Sequence, residues 1–293
     1  MTSRALLAGL LAAGTVAQAS AGESLFSRVY TTDTEPAGRF EIEQTVRNRN
    51  GRSMGTYSAF DYRTEFEVGV TDNFQAALYI NNLTMHAKGA PDDDDPLGAT
   101  GFRRTGNYFQ GLSAEFIYRL YSPYKDGFGL ALYFEPEFAQ HDLHNGLAYR
   151  TSVGGEYRII FQKNFWDDQL IFTYNLVLET EGIRFKDQKG YTGELDFNNE
   201  VGLAYRFAPS WFAGIEGRNH NEYGKFTQFE HSVYWIGPSL HYAGQRFWAT
   251  LGYLRQVYGT PIGTDENGTP IGKNLFTRSH ERNEITLKVA YTF

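Results

Sequence analysis

Nineteen charged side chains recur at alternate positions along this chain, a spacing that puts neighbours on one face of an extended strand. They are Glu41 and Glu43; Asp61, Arg63, Glu65 and Glu67; Glu115 and Arg119; Glu135 and Glu137; Arg150; Glu156 and Arg158; Glu194, Asp196 and Glu200; Arg206; and Glu216 and Arg218. Two kinds of chemistry follow. Carboxylates facing water draw cations in and repel anions. Carboxylates facing guanidinium groups form planar bidentate pairs that tie one strand to another. The acidic members outnumber the arginines, so a water-filled space between these faces would favour cations, and a fully paired one would be shut. Both readings stay open at this point.

Other side chains offer more specific chemistry. Six of the seven histidines, His86, His141, His144, His220, His231 and His280, fall toward one end of the strands read below, and His241 toward the other. Clustered imidazoles are ligands for Zn²⁺ or Cu²⁺. The simpler reading is scattered polar loop residues, and on it neither metal nor cofactor is expected. Residues 92–95, four aspartates between Pro91 and Pro96, could hold a hard cation through carboxylate oxygens. They lack the spacing of a calcium loop, and a solvated acidic loop explains them as well. Nucleophilic hydrolysis needs Ser and His within mutual reach. His220 is followed by Asn221 and Glu222, and His231 and Ser232 are adjacent, so in a strand they point to opposite faces. No catalysis is expected.

The elements that must position these groups are strands. In residues 285–293, Ile285, Leu287, Val289, Tyr291 and Phe293 alternate with Thr286, Lys288, Ala290 and Thr292, a period of two. The same alternation predicts twelve strands, over 38–48, 57–70, 74–85, 108–120, 128–140, 147–161, 169–180, 193–207, 211–220, 229–242, 246–258 and 282–293. Each is long enough to cross a bilayer when tilted. Connections alternate in length. Residues 71–73, 208–210 and 243–245 are tight turns, and 121–127 and 161–168 are somewhat longer. Between them lie loops at 49–56, 87–107, 141–146, 181–192, 221–228 and 259–279. In the last of these, residues 260–263 recur as 269–272 around the turn-forming pair Asn267 and Gly268. Asn50 and Gly51 suit a turn after the first strand. Trp235 and Trp248 fall on the inward parity, which leaves the register of their strands weakly specified.

Composition fits an all-β, transmembrane, antiparallel up-and-down barrel of about twelve strands. Tyr and Phe number 20 and 23, as expected where aromatic belts rim an apolar band around a polar interior. A soluble sandwich has less use for them. Residues 1–21 read as a secretory signal with Arg4 in its basic region and a small-residue cleavage site at Ala19, Ser20 and Ala21. The remaining residues 22–293 form one domain. Beyond residue 21 no run approaches the ~18–20 apolar residues of a membrane helix. There is no cysteine, and the net charge of −7 excludes a nucleic-acid footprint, which is basic.

The strand at 285–293, ending on Tyr291 and Phe293, resembles the C-terminal signature strand of bacterial outer-membrane barrels. That resemblance implies recognition by the barrel-assembly machinery and an outer-membrane site with both termini periplasmic. Residues 30–44 (YTTDTEPAGRFEIEQ) followed by 62–72 (YRTEFEVGVTD) resemble a proteobacterial outer-membrane β-barrel family of unknown function, porin- or transporter-like. The alternative relatives are transporter barrels associated with breakdown of aromatic compounds. The twelve-stranded phospholipase barrel is similar in size, but its His and Ser two apart on one strand face are missing here. The function expected is a narrow passive channel for small solutes. The alternatives are a closed structural or surface-interaction barrel and, behind it, a membrane-embedded hydrolase. The partners expected are outer-membrane lipid, the assembly machinery and small solutes.

Overall fold

The computed structural model describes residues 24–92, 101–185, 189–260 and 274–293, and Arg150 by its backbone alone. The expected signal at 1–21, Asp93, Asp94 and Asp95, and the repeat of 260–263 at 269–272 lie wholly or mainly outside the described residues.

The alternation organises twelve strands: β1 (Phe40–Asn50), β2 (Thr56–Thr71), β3 (Phe74–Ala90), β4 (Phe102–Tyr121), β5 (Gly129–His141), β6 (Ala148–Phe165), β7 (Leu170–Phe185), β8 (Thr192–Ala208), β9 (Trp211–Gly224), β10 (Gln228–Ala243), β11 (Phe247–Thr260) and β12 (Asn283–Thr292). Each pairs antiparallel with the next, and β12 pairs with β1, so the sheet closes and has no free edge. One end of the barrel carries the short turns and both ends of the sheet; the other carries the longer loops.

Several strands run further toward the long-loop end than polarity suggests. The loop expected at 221–228 shrinks to Lys225, Phe226 and Thr227, with Lys225 and Phe226 at φ 51° and 65°. Asn221 is polar because it bonds to neighbouring strands, not because it lies in a loop: its Nδ2 donates to the Phe197 carbonyl at 2.7 Å and to Asn219 Oδ1 at 2.9 Å. β3 likewise continues past Met85, with Met85, Ala87 and Ala90 buried on the inner side. Gly51, after β1, takes the positive φ (86°) that only glycine adopts freely.

The outer face is apolar. Leu78, Leu112, Leu132, Ile159, Leu203, Ile215, Leu251 and Leu287 are exposed there, and Tyr118, Tyr121, Phe165, Trp166, Phe207, Trp211, Phe247, Tyr291 and Phe293 ring the short-turn end. A belt this continuous marks a surface meant for something other than water. On β12, Ile285, Leu287 and Tyr291 point out while Thr286, Ala290 and Thr292 are buried inside. Trp235 and Trp248 do face inward. Trp248 Nε1 donates to the Glu41 carboxylate at 3.0 Å, and Trp235 Nε1 to the Glu281 carbonyl at 3.2 Å. The parity that leaves their register weak in the sequence is the true one, because these indoles close the lumen instead of facing outward.

Candidate functional site

The lumen is built in two parts. In the half nearer the short turns, residues 24–36 cross the barrel interior as an extended strap that joins no strand. Its backbone is satisfied by wall side chains. Ser27 N–H and Arg28 N–H donate to the two oxygens of Glu216, both at 3.0 Å. Tyr30 N–H donates to Asn175 Oδ1 at 2.7 Å, and Asn175 Nδ2 donates back to the Tyr30 carbonyl at 2.9 Å. Thr32 N–H donates to Gln162 Oε1 at 2.7 Å and Glu35 N–H to Gln75 Oε1 at 2.9 Å. Leu25, Phe26 and Val29 pack with Ile171, Ala204, Phe212 and Ala243. Glycines make room: a Cβ at Gly202 would lie 2.7 Å from the Phe26 ring, and one at Gly252 2.4 Å from Ser27 Cβ.

Above the strap, toward the long loops, lies a cavity of about 630 Å³ lined by thirteen carboxylates and seven arginines. Arg28 of the strap is among its lining residues. From Arg28 a chain of ion pairs runs through the wall. Arg28 meets Glu284 at 2.6 Å; Arg218 lies 3.8 Å from Glu284 and 3.7 Å from Glu200; Arg158 reaches Glu200 at 2.5 Å and also pairs with Glu156. Across the cavity Arg49 binds Asp61 at 2.8 Å and Arg63 binds Glu135 at 2.6 Å.

The register adds an unusual row. Glu135 stands opposite Glu156, Glu156 opposite Glu179, Glu179 opposite Asp196, Asp196 opposite Glu222, and Glu222 opposite His231, across six consecutive strands. Glu181 and Glu194 face each other one step along. Like charges directly opposite are destabilising. Among the described residues, Glu137, Glu179, Glu181, Glu194 and Asp196 pair with no arginine. Their bonds go to neutral groups: Glu179 accepts from Asn198 at 2.6 Å and Glu137 from Gln110 at 3.1 Å. Crowded carboxylates beside an open cavity, with no guanidinium on them among the described residues, give a surface that attracts cations.

Eighteen of the nineteen residues singled out in the sequence fall into three groups. Asp61, Arg63, Glu135, Glu137, Glu156, Arg158, Glu194, Asp196, Glu200 and Arg218 line the cavity. Glu41, Glu43, Glu65, Glu67, Glu115 and Glu216 lie inside, lower down, around the strap: Glu115 accepts from Tyr79 at 2.6 Å, and Glu43 lies 3.7 Å from Lys288. Arg119 and Arg206 share the inward parity but sit at the short-turn rim. Arg119 donates to the Asp72 carbonyl at 2.5 Å and Arg206 to the Asp167 carbonyl at 3.1 Å, because the last residues of a strand lie level with the adjoining turns. They line no part of the cavity. Arg150 has no described side chain. Arg47, Arg49, Glu179 and Glu181, passed over in the sequence, lie on the same inward parity and line the cavity; alternation alone would have found them. Glu284 on β12 shares the inward parity of Thr286 and was also within reach of alternation, whereas Arg28 and Glu281 carry no such signal because they belong to segments outside the strands.

The histidines are not scattered. His220 on β9, His231 on β10 and His280 before β12 turn their Nε2 atoms toward one another and toward Glu222, all within 4.8 Å. Strand pairing and the folding-in of residues 274–282 bring them together, which spacing could not show. His144 stacks edge-on against His280 with centroids 5.2 Å apart. Burial, then the Arg49 guanidinium, lowers the His144 imidazole to about 3, and burial, then His231 and His220, holds His280 well below its ordinary value. His86 is exposed on the outer face, and His141 packs on Tyr108. Ser232, beside His231, turns the other way and donates to Asn221 Oδ1 at 2.7 Å. Asp92 is buried 3.8 Å from Arg52 and accepts from Asn145, not solvated as expected, because these two side chains hold it inside.

A family model described as a family of unknown function (DUF6662) matches residues 18–293. No curated protein matches. Among solved structures, the chain is similar to the COG4313 outer membrane channel from Pseudomonas putida F1, at TM-score 0.54 and 10% identity over 89% of this chain and 98% of that one. It is also similar to LpxR from Salmonella typhimurium (TM-score 0.48, 8% identity, 86% and 100% covered) and to the Pseudomonas putida toluene transporter TodX (0.46, 9%, 94% and 96%). At 10% identity the likeness to the first of these speaks for the fold, a closed barrel of the outer-membrane type.

Proposed function

The chain belongs to this family of unknown function, and we propose that it is a narrow outer-membrane channel for small cationic solutes, entered through an acidic vestibule and closed in its other half by the strap. In this reading the short-turn end and both termini face the periplasm and the longer loops face outside, the usual disposition of such barrels. Tyr291 and Phe293 would then serve the assembly machinery, and the apolar belt would meet lipid. The observation that carries the reading is the excess of carboxylates around a cavity of about 630 Å³, with Glu179 and Asp196 opposite one another and, among the described residues, no arginine on either. Such a surface concentrates cations and excludes anions. The likeness to a solved outer membrane channel supports the barrel, and passage through it is part of the proposal.

Purified barrel in a planar bilayer under a salt gradient should give a reversal potential of cation sign once it conducts. An anion preference would end the reading. The ion-pair chain from Arg28 to Glu156 and the seated strap favour a second reading, a closed barrel acting through its loops. It is separated from the first by whether loosening the strap opens a conductance. The opposite orientation of His231 and Ser232 supports a non-catalytic reading over a hydrolase.

A further inference from the structure

We propose that His220, Glu222, His231 and His280 bind one divalent transition-metal ion, Zn²⁺ foremost, at the long-loop mouth of the lumen. Glu222 Oε2 lies 3.3 Å from His231 Nε2, 3.6 Å from His220 Nε2 and 4.0 Å from His280 Nε2. The His231 and His280 Nε2 atoms are 2.5 Å apart. Ligands on a tetrahedral Zn²⁺, at about 2.0–2.1 Å from the ion, stand roughly 3.3 Å from one another. The observed separations bracket that value. A hydrogen bond between two imidazoles would explain His231 and His280 alone. It leaves unexplained why His220 Nε2, buried and without a hydrogen bond, aims at the same point.

The surroundings fix the rings as a metal site does. Asn198 Nδ2 donates to Glu179 Oε1 at 2.6 Å, which turns Asn198 Oδ1 toward His220 Nδ1 at 2.8 Å. His220 therefore carries its proton on Nδ1 and presents the lone pair of Nε2. A ligating imidazole held through its other nitrogen is the common outer-shell arrangement. Arg218 Nη2 lies 3.5 Å from that Nδ1, farther than Asn198 Oδ1, and its other nitrogens lie 3.7 Å from Glu200 and 3.8 Å from Glu284. The Phe276 ring stacks on His231 with centroids 4.5 Å apart. Gln256 and Trp235 donate to the Glu281 carbonyl beside His280, at 3.1 and 3.2 Å. Three nitrogens and one carboxylate suit Zn²⁺ and its neighbours in the first transition row; Ca²⁺ and Mg²⁺ want oxygen. The ion would join β9 and β10 to the segment 274–282 that folds over the mouth.

The test needs no conduction, so it stands apart from the channel reading. Tag-free, chelator-stripped full barrel in detergent is titrated calorimetrically with Zn²⁺ alone, and Co²⁺ is followed by its visible bands. One Zn²⁺ per barrel and a tetrahedral Co²⁺ spectrum are expected. His231→Ala and His280→Gln should abolish both. Asn198→Ala should weaken binding about 10–100-fold. His86→Ala, on the outer face, should change nothing. Heat-modifiable gel mobility reports that each variant is folded. Absence of Zn²⁺ uptake, uptake unchanged in folded His231→Ala and His280→Gln, or Ca²⁺ bound as tightly as Zn²⁺ would each overturn the site.

Discussion

The two halves of the lumen share a charge pattern and differ in what stands beside it. Around the strap the backbone N–H groups of Ser27, Arg28, Tyr30, Thr32 and Glu35 donate to wall side chains, apolar groups pack on apolar groups, and glycines are placed where side chains would collide. In the vestibule like charges face each other across strands, and among the described residues Glu179, Glu181, Glu194 and Asp196 pair with no arginine. Like charges also face each other around the strap, Glu41 opposite Glu67 and Glu43 opposite Glu65, but there the strap fills the interior, whereas the vestibule leaves its carboxylates beside an open cavity. In the proposed channel the vestibule is therefore where the barrel would meet its solute, and the strap is what that solute would meet next.

The strap offers the sharpest way to break the contrast. Removing residues 24–36 behind an intact signal should leave the ladder closed and convert a closed barrel into one with a stable open level in single-channel recordings. It forfeits the burial of Leu25, Phe26 and Val29, about 1.5–3 kcal/mol each as an upper figure, so the melting temperature should fall as conductance appears. Gly202→Val asks the same question by overpacking Phe26, at a cost of about 1–3 kcal/mol. A barrel that stays silent after both changes would make the strap mere filling and favour the closed reading.

A smaller effect tests the other half. Glu179→Gln and Asp196→Asn remove a like-charge cross-strand pair. Each should raise stability by about 0.2–1 kcal/mol, seen as a higher unfolding midpoint in denaturant, while weakening cation preference in the opened barrel. A loss of stability instead would mean that these carboxylates hold the wall together and the vestibule is a ladder after all.

Much of this contrast was readable in the chain, and the reason it was not all readable is physical. Alternation fixes which side of the wall each strand residue takes, so Glu135, Glu156, Asp196 and Glu200 were placed by parity alone, and the same rule would have added Arg47 and Glu179. Parity carries no height. It cannot separate Arg119 and Arg206 at the rim from Arg158 in the cavity, because height depends on strand tilt and register. The strap lies beyond its reach. Residues 24–36 have no period, and their partners are wall residues such as Gln162 and Glu216, far along the chain. Polarity misled at Asn221 and Glu222, which read as loop and are strand. The histidines meet only because His231 pairs opposite Glu222 and the segment before β12 folds inward.

The smallest effect joins the two halves through pH. Asp33 of the strap is buried, and burial, against the pull of Arg119, raises its carboxyl from the ordinary 3.8. A carboxyl whose folded value lies above its unfolded one opposes seating when ionised. That penalty is fully present above the raised value and fades as pH falls from there toward 3.8. Acidification through that window should therefore seat the strap more firmly and lower the open probability. Asp33→Asn removes the titrating charge, so it should hold the barrel shut at neutral pH to about the degree that acid does in the wild type, and flatten the pH dependence. Open probability recorded against pH for both proteins decides it. Opening on acidification that is identical in the two would place the pH response in the vestibule carboxylates and leave the strap indifferent to protons.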